Sequence, residues 1–150
     1  MTSQLNVDTI VDKAGSGGTN VKVGNTSTYV SDGGSVTQNL VQGLQKHFIH
    51  FSGASTDGSA NLTGVDDSFN TSSVVDKTTG TTTVAFTNNM NSVSYIHTAS
   101  VTSSGGSFNA WVTGDGTAHT TSQYVMKSYH VSSGAVDLSD NQSQVSGDLA

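Results

Sequence analysis

Ser73-Val74-Val75-Asp76-Lys77-Thr78-Thr79-Gly80-Thr81-Thr82-Thr83-Val84-Ala85-Phe86-Thr87 is a pair of β-branched runs folded about a turn. Val and Thr are stiff at χ1 and pack well on a pleated surface. Lys77-Thr78-Thr79-Gly80 ends on the residue that reaches turn conformations without steric cost. The stretch therefore predicts an antiparallel hairpin. Working outward, the same grammar repeats. His47-Phe48-Ile49-His50-Phe51 and Asp67-Ser68-Phe69-Asn70 come before the hairpin. Val93 to Val101, Ser107 to Thr113, Gln123 to Ser132 and a short last run from Gln144 to Leu149 come after it. Evenly spaced short strands with Gly and Asn turns predict an all-β domain over 47–150, an antiparallel β-sandwich or jelly-roll-like fold. Its expected core is Phe69, Val74, Val84, Phe86, Met90, Tyr95, Phe108, Trp111, Tyr124, Met126 and Val131.

Composition says the same. Ser, Thr, Gly and Asn supply 73 of the 150 residues, so backbone hydrogen bonding must carry much of the structure. Charged residues are 11%, against roughly 25% in an ordinary domain. There is no Cys, Pro, Arg or Glu, and all eleven acids are Asp. Disulfides and thiolate metal sites are thereby excluded. With no guanidinium for bidentate phosphate contacts and a net charge of −6, nucleic acid is repelled. No apolar run approaches the ~20 residues of a membrane span. The opening residues lack the basic and apolar segments of a signal peptide, so synthesis and folding in a cytoplasm are expected.

Residues 1–46 read as a separate module. Leu5-Asn6-Val7-Asp8-Thr9-Ile10-Val11-Asp12, Val21-Lys22-Val23 and Thr28-Tyr29-Val30 are short strand signals separated by glycine turns. So few large apolar side chains cannot form a core alone, but copies from several chains could share one. From Ser35 the period changes. Ser35 and Gln38 have capping-box spacing, and Val36, Leu40, Val41 and Leu44 recur at helical intervals toward Phe48. This predicts a short helix over 36–46. Its apolar stripe either packs on its own β domain or forms a three-helix plug, with Val36, Leu40, Leu44 and Phe48 as the trimer interface.

Catalytic chemistry is not written in the chain. Asp66-Asp67 is the one adjacent acid pair, and neighbours on a strand face opposite ways. Gly15-Ser16-Gly17-Gly18 has Asn20 where a dinucleotide loop carries its third glycine. His47 and His50 diverge if they lie on a strand, and His97, His119 and His130 are isolated in sequence. Gly114-Asp115-Gly116 and Thr56-Asp57-Gly58 fall short of a calcium loop's ligand count. Neither enzyme activity nor a cofactor is expected. Tyr129 and His130 fall on opposite faces of the 123–132 strand, so one of them is expected to face out, and the two are the candidates for glycan contact.

The opening Leu5 to Asp12 followed by a glycine turn resembles the start of fibre-like virion proteins of phages infecting marine bacteria. Asp67-Ser68-Phe69-Asn70-Thr71-Ser72-Ser73-Val74, with Thr81 to Phe86, Thr87-Asn88-Asn89-Met90 and Tyr95, is similar to a pattern in the C-terminal β domains of such fibres. The closing Gly147-Asp148-Leu149-Ala150 fits that pattern too. The resemblance implies a homotrimer in the virion, with other virion proteins attached near the N-terminus through Leu5, Val7, Ile10 and Val11, and an exposed C-terminal β domain. The leading expectation is a tail-fibre or appendage subunit contributing to host adsorption. A capsid decoration or head-fibre protein is the alternative on the same fold. A carbohydrate-binding β module without a virion role is a further one.

Overall fold

The computed structural model describes residues 28–30, 37–39, 43–102, 108–112, 119–130 and 132–150. At 29, 30, 37, 38, 102 and 108–112 the description is of the backbone. The chain divides into two compact units, 1–41 and 42–150. In the first, β1 (Thr28–Val30) pairs antiparallel with β2 (Thr37–Asn39), with Val30 opposite Thr37.

The described residues narrow the helix expected over 36–46: Gly43 is helical, and both expected ends are strand. Residues 37–39 are β2, and Gln45 and Lys46 already belong to the first strand of the second unit. Val36, Leu40 and Val41 lie outside the described residues. The periodic signal was local. A run of about twelve residues containing Gly43 is marginal as a helix, and pairing with nearby β1 at one end and with distant Ser146 at the other makes its ends strand.

The second unit contains β3 (Gln45–Phe51), β4 (Val65–Phe69), β5 (Thr71–Thr78), β6 (Thr81–Phe86), β7 (Ile96–Thr102), β8 (Phe108–Val112), β9 (Gln123–His130), β10 (Gly134–Ala135) and β11 (Asp140–Ser146). One sheet has the order β4-β3-β11-β7. The other runs β10-β9-β6-β5, with β8 also paired to β9. Every strand pairing is antiparallel. The unit is all-β, two antiparallel sheets closing on one core. Ile49, Phe51 and Val145 come from the first sheet, and Val74, Val84, Phe86, Tyr124 and Met126 from the second. Tyr124 also donates its hydroxyl to Ser143 Oγ at 3.0 Å, a polar tie between the sheets inside the core.

The β5–β6 hairpin forms where expected. Its turn needs Gly80, which has φ +69°. A Cβ there would stand 2.6 Å from both the Ser128 carbonyl oxygen and the Val136 nitrogen. The chain changes sheet between β4 and β5 at Asn70, with φ 60°. Asn is among the few residues that tolerate this left-handed conformation. Its side-chain amide donates to the carbonyls of Lys46 (3.0 Å) and Asn88 (3.1 Å), and its Oδ1 accepts from the Asn88 N–H at 2.6 Å.

Seven of the expected core positions, Val74, Val84, Phe86, Met90, Tyr95, Tyr124 and Met126, are buried. Phe69 is not: it is 50% exposed, because its place in β4 points it to the outer face of the sheet. The side chains of Phe108 and Trp111, and all of Val131, lie outside the described residues. The last strand is also shifted. It spans Asp140–Ser146 in the middle of its sheet, whereas Leu149 makes only an isolated bridge to Met90.

Candidate functional site: the outer face of the four-stranded sheet

Side chains alternate across a strand, so each inward residue of β3, β11 and β7 leaves an outward neighbour. In β11, Asn141, Ser143 and Val145 are buried, while Gln142, Gln144 and Ser146 are exposed. Register then builds two rows on the outer face. One row is Phe69, Phe48, Gln144 and Thr98. The next is Asp67, His50, Gln142 and Ser100. Together with Gln45, the residues of both rows other than Phe69 line a groove of about 610 Å³.

Two features fix its chemistry. Phe48 and Phe69 stack across the β3–β4 pair, with ring centroids 6.2 Å apart and planes 22° apart. Phe48 gives the groove an aromatic side chain, with Phe69 stacked on it from outside the lining. In the second row, His50 Nε2 lies 2.8 Å from Asp140 Oδ1, and its Nδ1 lies 3.8 Å from Asp66 Oδ2. Gln142 Nε2 donates to the same Asp140 oxygen at 3.3 Å. The imidazole is thus held between carboxylates on the rim, with 41% of its side chain exposed.

The other histidine of β3 points the opposite way, as a strand requires. His47 is fully buried against Phe86 and Tyr124, with edge-on ring contacts at 5.1 and 5.5 Å. Its Nε2 is 3.0 Å from Thr71 Oγ1, and its Nδ1 has no hydrogen-bond partner among the described residues. Burial holds its pKa down at about 4. His97 and His119, isolated in sequence, come together with ring centroids 5.2 Å apart. Tyr95 stacks on His119 at 4.4 Å and Tyr124 on His97 at 5.3 Å. Burial first, and the neighbouring His119 second, lower His97 to about 4. Among the described residues no group of three or more His and Asp side chains is placed to hold a metal ion.

The residues singled out from sequence are scattered. Leu5, Val7, Ile10, Val11, Val36 and Leu40 lie outside the described residues. Leu44 is 62% exposed just before β3. Phe48 is half-buried under Phe69 and borders the groove. Tyr129 and His130 are both half-buried in β9, on the other sheet, and His130 Nδ1 accepts from the Ser132 N–H at 3.2 Å. The groove residues Asp67, Thr98, Ser100, Gln142 and Gln144 were missed. No local signal could have found them, because Asp140 to Ser146 contains one apolar residue and the rows are set by register between distant strands. Comparison with known proteins returns no matching family model, curated protein or solved structure, so the groove and the packed histidines are what the molecule offers for reading its function.

Proposed function

We propose that the chain is a structural, non-catalytic protein of a bacteriophage particle. In this reading it is a fibre or appendage subunit that assembles as a homotrimer. The region up to residue 46 attaches it to other virion proteins, and the β-sandwich is displayed for host adsorption. The observation that carries the assembly half is uncovered apolar surface where the chain enters the sandwich. Leu44 is 62% exposed. Ile96 is 73% exposed and flanks Ser146 across from Gln45, at the same end of the sheet. In a chain only 33% hydrophobic, large side chains left in water are a costly use of scarce apolar area. Contact between copies would cover them. The N-terminal strands point the same way, since their few apolar residues gain from sharing a core.

The test is the solution mass of the full chain by light scattering. Three times 15.4 kDa supports the trimer. A folded monomer of 15.4 kDa ends it. Mass spectrometry of purified particles then tests whether the protein is part of a virion.

A further inference from the structure

We propose that the groove on the outer face of the β4-β3-β11-β7 sheet binds a neutral oligosaccharide. This deepens the adsorption role proposed above and rests on it for its biological meaning.

The lining is the first argument. Gln45, Gln142 and Gln144 each present a carbonyl acceptor and an amide donor group on a planar head. Thr98 and Ser100 add hydroxyls that both donate and accept. Such groups answer a polyhydroxyl ligand, whose every hydroxyl is also donor and acceptor. The rows place them on three adjacent strands, so a ligand lying across β3, β11 and β7 meets several at once. Phe48, backed by its stack with Phe69, adds an apolar ring to the lining, suited to the C–H face of a sugar ring. A volume of about 610 Å³ falls within the ~300–1,000 Å³ of small-ligand sites.

Charge complementarity commits the groove to a neutral ligand. Asp67 lines it, and Asp66 and Asp140 hold His50 at its rim. Among the described residues no Lys is in the lining, and the whole chain carries −6. A sulfated, phosphorylated or carboxylated polymer would meet unpaired repulsion. A neutral sugar meets carboxylates that accept from its hydroxyls. A protein partner is the poorer fit, because interface cores are rich in aromatic residues and Arg, and low in charge.

The experiment uses the full chain labelled with ¹⁵N. It is titrated with di- to tetrasaccharides of glucose, galactose, mannose and N-acetylglucosamine, with oligogalacturonate as the acidic control. The expected result is saturable amide shifts on β3, β7 and β11 with at least one neutral probe and none with the acidic one. Gln142→Ala and Gln144→Ala, both on exposed positions, should each weaken that binding about 2- to 10-fold while leaving the melting temperature unchanged. The site is overturned if no neutral probe gives saturable shifts, or if the acidic probe binds better. It is overturned equally if shifts follow protein concentration instead of sugar, which would mark the face as a contact between copies. Binding abolished by Tyr129→Ala and untouched by the two glutamine variants would place sugar recognition on the other sheet. A trimer that binds no probe ends the glycan site and leaves the virion reading standing. A sugar-binding monomer does the reverse.

Discussion

Gly80 and His47 show how single side chains constrain this fold. Gly80 is needed twice over, for a positive φ and for the backbone packed against it. Its N–H also donates to Asp137 Oδ1 at 2.5 Å. Gly80→Ala should therefore destabilise the sandwich by about 1–3 kcal/mol, read as a lower urea midpoint with unchanged slope. His47 sets a pH limit. Its folded pKa of about 4, like that of His97, lies below the ordinary value near 6.5. Between these values the unfolded chain binds protons that the folded one refuses, so stability rises with pH. Stability is full above about 6.5 and falls as the pH drops through 4, by an amount on the order of a few kcal/mol for the buried His47. His47→Phe keeps an aromatic ring against Phe86 and Tyr124 and should flatten the acid limb of melting temperature against pH. An unchanged limb would show that protons enter elsewhere. The sequence revealed that His47 and His50 would diverge on a strand. It could not show which one faced inward, because that depends on register against β11.

At the scale of the element, legibility followed the origin of the signal. The β5–β6 hairpin could be read because its strand pattern, its turn and its pairing all lie within a few residues. β11 was only half read. Its buried positions include Asn141 and Ser143, which a hydrophobic pattern scores as surface. They are buried because polar partners meet them inside. Asn141 Nδ2 donates to the Leu138 carbonyl at 2.8 Å, and Ser143 Oγ accepts from Tyr124. The expected 36–46 helix meets strand pairing at both ends, at 37–39 and at 45–46, while Gly43 between them is helical. The Tyr124–Ser143 tie can be measured by a double-mutant cycle. Ser143→Ala should cost about 1–3 kcal/mol by leaving the buried tyrosine hydroxyl unsatisfied. Tyr124→Phe with Ser143→Ala should cost less than the sum of the two single changes. Strict additivity in chemical denaturation would mean that the hydrogen bond contributes nothing.

For the whole molecule, the all-β sandwich was legible from composition and strand spacing, and the groove was not. A groove on a sheet face is a property of register, and register joins β3, β4, β7 and β11 from distant parts of the chain. The assembly proposal is tested at this scale by Leu44→Asp. A charge at an exposed position away from contacts leaves a monomer's stability within about 0.5 kcal/mol. In a trimer that covers Leu44, the same change should shift the mass toward 15.4 kDa and make melting depend more strongly on protein concentration. A variant that keeps wild-type mass would remove Leu44 from the interface. The pairing of β3 with β11 has one more consequence. Phe51 and its partner Asn141 are 90 residues apart, so the first strand of the sandwich has no neighbour in its sheet centre until β11 has been made. Loop closure of that length comes before the contacts that reward it, and proteins dominated by such pairings fold in milliseconds to seconds. Because β11 joins β3 to β7 in the sheet centre, deleting Asp140–Ser146 should stop the sandwich from folding.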